Sequence, residues 1–371
     1  MAKATKIKVG GVWKDVKNIW IKRGGIWKAK VIPKIMVGGV WKECIGYYVP
    51  YAYIGIKDAS GNTKVYKLDE NLTIVDQRTI IGGNYVTALE VTMDDHVFLS
   101  VYSITNGTLL LDENLNTFTT FYGYNRATYP ALLTRDDYWH NAILAADTSY
   151  DVFWNDSKGT LRVDDISNDV IRGMRYSKKT DRIYAHYSLG NADTRIGVVS
   201  NDSFYNSNKI AVNYKTYITN STNRVTRMRV NHDGDLLYSY YNTAVVKHDG
   251  TGTYNPVVSV DARDGLAIMP NGDFLTLSDA NSILRKYSAS GVLLAQTPNY
   301  INGNWVAEDI IADRKGNIYV SAKAISINSG AYILKLNSSL QVVATRTLDS
   351  NQGAEPYFVG ATGASYGAYP L

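Results

Sequence analysis

Over most of the chain, apolar residues fall in short runs separated by clusters of Gly, Asn, Asp and Ser. Alternation within the runs and turn residues between them read as strands; no sustained 3.6-residue periodicity supports a long helix. The clearest unit is "VAEDIIADRKGNIYVSAKAISINSGAYILKLNSSLQVVATRTL" near the C-terminus. It predicts a first strand over Val306–Ala312, a turn at Asp313–Asn317 and a second strand from Ile318. A third strand is expected from near Tyr332 to Asn337-Ser338-Ser339, and a fourth from near Gln341.

The same order recurs. Second strands are expected to begin at Ala52, Val97, Ala142, Ile183, Leu236, Phe274 and Ile318, with successive spacings of 45, 45, 41, 53, 38 and 44 residues. The third-to-fourth-strand turn recurs too, as "KLDENL" (67–72), "LLDENL" (110–115), "KHDGTG" (247–252), "KYSASG" (286–291) and "KLNSSL" (335–340). Four strands per period of about 40–45 residues is the sequence sign of a β-propeller. The expectation is therefore an all-β chain with a seven-bladed propeller over 49–371. Its first blade lacks a first strand, and "PYFVGATGAS" (356–365) is a strand without a blade, so the C-terminal segment is expected to complete the ring. The repeats are similar to NHL-like propeller repeats, a likeness of fold that carries no activity. Paired sandwiches would explain the strands but not the period.

The opening residues have a different pattern. Ile7-Lys8-Val9-Gly10-Gly11-Val12-Trp13-Lys14 returns as Ile21-Lys22-Arg23-Gly24-Gly25-Ile26-Trp27-Lys28 and as Ile35-Met36-Val37-Gly38-Gly39-Val40-Trp41-Lys42. Gly-Gly between β-formers predicts a two-residue type I′ turn, which needs φ > 0 at both positions. That register sets Val9 against Val12, Lys8 against Trp13 and Ile7 against Lys14, and three such hairpins are expected to form a small meander over 1–48. Hairpins of this size are marginal alone, so exposed Trp and Ile call for a partner surface. Trp13, Trp27, Trp41, Ile7, Ile21 and Ile35 are the candidate docking residues. Nucleic-acid binding through interleaved Lys and Trp is the competing reading but not the expected one; lysines that protect edge strands are another.

Charge sharpens this division. Residues 1–46 hold ten Lys and one Arg against Asp15 and Glu43, a surplus of nine positive charges, while the remainder carries a net charge of −4. A basic arm precedes a mildly acidic body. Hydrophobic content of 45% and charged content of 20% fit a foldable globular chain. The lone Cys44 allows no intrachain disulfide. No run approaches the ~18 apolar residues of a membrane span, and no apolar h-region follows the basic start. Synthesis in a cytoplasm, without a membrane span or secretory leader, is the expectation.

The iterated GGxWK segment resembles segments of bacteriophage tail-fibre, tail-tip and other virion appendage proteins, over residues 6–46 only. The resemblance implies a structural virion protein whose arm joins other virion proteins. It also implies a homo-oligomer such as a trimer, although nothing in the sequence counts subunits.

Chemical motifs are sparse. "GASYG" (363–367) fits G-x-S-x-G, but too few residues follow for the remaining triad, so Ser365 is not expected to act as a nucleophile. His96, His140, His186, His232 and His248 show no metal-ligand spacing, and "HDGD" (232–235) reads as a turn. Asp136, Asp137, Asp164 and Asp165 sit in turn-like positions, and "DASGNT" (58–63) lacks the partner aromatic of a sialidase-type box. No catalytic residue, metal or cofactor is expected.

What remains is binding. The chain has 29 Tyr, and aromatics crowd residues 122–154. Tyr122, Tyr124, Tyr129, Trp139, Tyr150, Trp154 and Trp305 are the candidate host-surface residues, since aromatic faces stack on sugars. Packing between blades is the competing reading for the tryptophans. The expected function is a non-enzymatic virion protein that presents a propeller to a bacterial surface glycan or protein. The alternatives are a capsid or collar decoration protein and a polysaccharide depolymerase.

Overall fold

In a computed structural model, the residues described are the six strands within 6–43, then 50–91, 95–103 and 107–122, the strands alone between 132 and 218, and 225–231, 234–240, 244–248, 255–262, 264–278, 281–326 and 329–362. The chain divides into two compact units, residues 1–50 and 51–370.

In the first unit, strands Lys6–Val9 and Val12–Asp15 pair with Val9 opposite Val12, Lys8 opposite Trp13 and Ile7 opposite Lys14. Trp20–Arg23 pairs with Ile26–Ala29, and Lys34–Val37 with Val40–Glu43, in the same register. In each copy only two residues, Gly-Gly, separate the paired strands in the sequence, and that spacing matches this register. The expected meander is corrected: each copy is a separate two-stranded sheet, and among the described residues no ladder joins one copy to the next.

The second unit is all-β, and every strand pair in it is antiparallel. Its strands form groups of four. The orphan strand behaves as its sequence predicts: Glu355–Ala361 pairs with Ala52–Lys57, setting Ala361 opposite Ala52 and Gly360 opposite Tyr53. Thr63–Leu68 and Ile74–Ile80 complete that blade. A latch fixes the closure. The Thr362 hydroxyl donates to Asp95 Oδ1 at 2.6 Å and accepts the Tyr51 amide at 3.1 Å. Lys67, 3% exposed, lies 3.6 Å from Asp95 Oδ2 and donates to the Glu113 carbonyl at 2.8 Å. The two ends of the unit and the next strand group are thus tied at one point.

The expectation of seven blades is corrected to a five-bladed arrangement at the level of packing. Counting sequence periods counts strand groups, whereas a blade also needs a packed face. Described apolar faces belong to five four-stranded blades: 355–361 with 52–80, then 83–122, 225–258, 265–296 and 305–349. The groups 132–164 and 169–218 are paired as four strands each. From the latter, Tyr184 reaches the core formed by Met228, Val230, Leu236, Tyr238, Ala244 and Val246.

Position within a blade decides the pattern of each strand. Ala52–Lys57 is buried on both faces except at its end, while Ile74–Ile80 alternates between part-buried and exposed positions. The third-to-fourth-strand turns repeat one geometry. Asp69, Asp112 and Asn337 each accept the amides two and four residues on, at 2.8–3.0 Å. The residue three along then adopts a left-handed backbone, with φ of 61° at Leu72, 58° at Leu115 and 63° at Leu340. Each of these leucines is buried in a different core. In the fourth version Gly291 takes the place, because a Cβ there would lie 2.3 Å from the Val257 carbonyl oxygen.

Candidate functional site

The first strands of the blades run side by side at the centre of the unit and crowd one another. A Cβ on Gly265 would lie 2.2 Å from Ile310 Cγ2, and one on Gly360 would lie 2.4 Å from Leu89 Cδ2. Several of these strands share a bulge. The register shifts between Val86 and Ala88, Ile171 and Gly173, Val225 and Arg227, Ala307 and Asp309, and Pro356 and Val359. A bulge inserts one residue and re-aims the side chains that follow it. The residue just after the bulge is Ala88, Gly173, Arg227, Asp309 or Val359. Two residues later, on the same strand face, come Glu90, Arg175 and Arg229.

Those positions carry an ionic network. Arg175 Nη2 lies 2.6 Å from Glu90 Oε1, joining strands Asp169–Ser177 and Gly83–Val91. Arg175 Nε also donates to the Met228 carbonyl at 3.1 Å. Arg227 Nε is 3.6 Å from Asp309 Oδ1 and donates to the Asp264 carbonyl at 3.1 Å. Its guanidinium lies 5.3 Å from the Phe358 ring centre. Asp309 Oδ2 accepts the Val359 amide at 3.2 Å, and Arg229 Nη1 donates to the Met228 carbonyl at 2.9 Å.

The network is electrostatically uneven. Burial raises the Asp309 carboxyl, against the pull of Arg227 and Arg229. Burial, with Arg175 adding to it, pushes the Arg229 guanidinium down to about 10. Arg229 Nε and Asp309 Oδ1 are both buried without a hydrogen-bond partner.

Of the aromatic candidates, Tyr122, Trp154 and Trp305 lie in described strands. Trp305 opens the strand Trp305–Ala312, packs on the core of the 265–349 blades, and lies 4.8 Å from Tyr332 at 57°. That contact is of the kind the competing reading, packing between blades, expects. Tyr122 ends the strand Thr117–Tyr122, and Trp154 stands in Asp151–Asp156 opposite Ile143 and Leu161. Tyr124, Tyr129, Trp139 and Tyr150 lie outside the described residues, as do Ser365, His140 and His232. Trp13, Trp27, Trp41, Ile7, Ile21 and Ile35 all stand in the strands of the three ribbons. His248 is buried against Tyr184, with ring centres 5.9 Å apart. Asp58 of "DASGNT" accepts the Ser60 and Asn62 amides and pairs with Lys64 at 3.1 Å, which makes it a turn. No group of three His, Cys, Asp or Glu among the described residues is placed to hold a metal, and no described helix is long and apolar enough to cross a membrane.

Sequence reasoning missed the ionic network. Its signal was a charge inside an otherwise apolar first strand, as in "TRMRV", "RGMRY", "ALEV" and "AEDII". Which of these charges meet depends on contacts between residues as far apart as 90 and 175, and no local pattern encodes that.

No family model and no curated protein matches the chain. Solved structures do. Virginiamycin B lyase from Staphylococcus aureus is 13% identical with a TM-score of 0.54, over 72% of this chain and 85% of that one. The Cps50 (Swd1) β-propeller domain from Myceliophteria thermophila is 14% identical with a TM-score of 0.51, over 73% and 88%. A streptogramin B lyase is 12% identical with a TM-score of 0.50, over 74% and 90%. At these identities the likeness establishes the β-propeller fold and nothing about chemistry.

Proposed function

We propose that the chain is a non-enzymatic component of a bacteriophage virion, part of the tail or another appendage. Its N-terminal ribbons dock it onto other virion proteins, and its propeller contacts a bacterial surface glycan or protein. One observation carries this reading: three ribbons with one register, each placing an Ile opposite a Lys and a Trp in the adjacent pair, in a unit compact by itself. Four-residue strands in isolated pairs bury too little to stand alone, and repetition of one sticky pattern suits a repeated partner surface. The resemblance of the GGxWK segments to virion appendage proteins points the same way. Several copies per particle would turn weak propeller contacts into firm adsorption through effective concentration.

The experiment replaces Trp13, Trp27 and Trp41 together by Ala and follows the chain into particles by immunoblot of purified virions. The reading expects loss of incorporation while the propeller keeps its strand signature in circular dichroism. Incorporation at the wild-type level would overturn it. Adsorption of the purified propeller to host cells, in competition with infection, tests the second half. Release of reducing sugar from host polysaccharide would favour the depolymerase instead.

A further inference from the structure

We propose that the loop 297–304, with Trp305 and Tyr332 beside it, is a binding platform for one neutral pyranose of a surface glycan. The inference deepens the propeller half of the reading above, whose partner is a glycan or a protein, and rests on it. The loop joins two blades, running from the strand Leu293–Gln296 to the strand Trp305–Ala312. Its Ile301 is fully buried in the shared core, while Asn302, Gly303 and Asn304 are exposed. The backbone is left-handed over four successive residues, with φ of 56° at Tyr300, 30° at Ile301, 62° at Asn302 and 74° at Gly303. For a β-branched residue such as Ile that is an outlier, and it persists only where the surroundings impose it. Main-chain hydrogen bonds do so. The Tyr300 amide donates to the Asn281 carbonyl at 2.6 Å, the Gly303 amide to Asn299 at 3.2 Å, and the Ile325 amide to Asn304 at 3.0 Å. Turns from both blades, at 281 and at 325, thus clamp the loop.

Two aromatic rings stand at the end of this clamped segment. Trp305 and Tyr332 are part-buried, with ring centres 4.8 Å apart. Trp305 packs on the core, and Tyr332 lies over Gly330, where a Cβ would stand 2.7 Å from its Cε2. Packing holds both rings and leaves part of each in solvent, so stacking on a ligand loses little conformational freedom. Such a fixed aromatic surface takes the C–H side of a sugar ring. The exposed Asn302 and Asn304 lie next to it in the chain, and the Asn304 amide is oriented by its bond to the Asn302 carbonyl at 3.1 Å. A side-chain amide both donates and accepts, which matches a sugar hydroxyl. Charge decides the class of sugar. Residues 297–307 carry no charged side chain, and the flanking Glu308 and Lys323 pair with each other at 2.9 Å. The platform therefore suits an uncharged hexose rather than a uronic acid.

The test titrates the full chain by calorimetry with the methyl glycosides of glucose, galactose and mannose, with N-acetylglucosamine and with glucuronate. Expected is saturable one-site binding of at least one neutral sugar with a Kd of about 1 mM, and glucuronate weaker by ~10-fold or more. Asn302→Gly keeps the left-handed backbone but removes the amide, and should weaken that sugar by ~3- to 10-fold. Trp305→Ala should abolish binding; if it does not fold, Trp305→Phe and Asn302→Gly decide. Val343→Thr, at an exposed outer-strand position, should bind like wild type. The proposal is overturned if no neutral sugar saturates below about 10 mM, if glucuronate binds as tightly as the best neutral sugar, or if Asn302→Gly and Trp305→Phe both bind like wild type. Adsorption of the same preparations to host cells separates this proposal from the reading it rests on. Adsorption without sugar binding overturns the platform and leaves a propeller that contacts a surface protein; absence of both overturns both.

Discussion

Leu340 offers a sharp test of how sequence, turn and core are coupled. Its backbone is left-handed, with φ at 63°, yet its side chain is 3% exposed in the core shared with Ile318, Leu334 and Leu336. Two opposing terms meet at this residue. Truncating a buried Leu to Ala costs roughly 2–5 kcal/mol in transfer and cavity terms. A Cβ-bearing residue in left-handed backbone costs about 1–2 kcal/mol, which Gly escapes. Leu340→Ala should therefore destabilise by about 3 kcal/mol, lowering the melting temperature by about 6 °C at ~2 °C per kcal/mol. Leu340→Gly loses one more carbon, about 0.8 kcal/mol, but sheds the backbone cost, so it should melt at or above the Ala variant. Leu336, fully buried in the strand Ser329–Leu336, is the control. There Gly should be the worse substitution by about 0.5–1 kcal/mol. Calorimetry of the four variants reads the order directly. The reasoning fails if Leu340→Ala melts within about 1 °C of wild type, or if Gly falls below Ala at 340 by as much as at 336.

The latch should respond to loss of one hydroxyl. Thr362→Val removes the donor to Asp95 and should cost about 1.5–3 kcal/mol, while Thr362→Ser stays near wild type in urea unfolding. Asp309 predicts a pH dependence. Its folded pKa is raised above the ordinary 3.8, so the folded state prefers the protonated form. Its contribution to stability is fully present below the unfolded value and is lost as pH rises through the folded one. The melting difference between wild type and Asp309→Asn should therefore shift against wild type from about pH 4 upward; a difference independent of pH would contradict the buried-carboxylate assignment.

Local chemistry was legible in the sequence wherever one residue type settles the geometry. Second strands begin at Ala52, Val97, Leu236, Phe274 and Ile318, the positions expected, because a turn residue and an apolar run meet there. Asn141 and Arg182 open theirs one residue earlier than expected, since strand pairing extends past the apolar run. The Gly-Gly turns gave the ribbon register residue by residue. The closing strand was legible because its pattern had no partner nearby in sequence. The number of packed blades was not legible, since strand periodicity counts four-strand groups and not the apolar faces described for five of them. Trp305 looked like a binding aromatic by residue type, yet contact with Tyr332 and the core is a tertiary fact. The charges of the central network were visible one by one, but the shared bulge that brings Arg227 and Asp309 level is a property of paired backbones.

The account stands on the pairing of the last strand with the first. Hydrogen exchange read by mass spectrometry on the peptides covering 52–57 and 355–362 measures that pairing in the intact chain. Both peptides should be protected, and Thr362→Val should speed exchange in both together. Free exchange across 355–362 beside a protected 52–57 would contradict it.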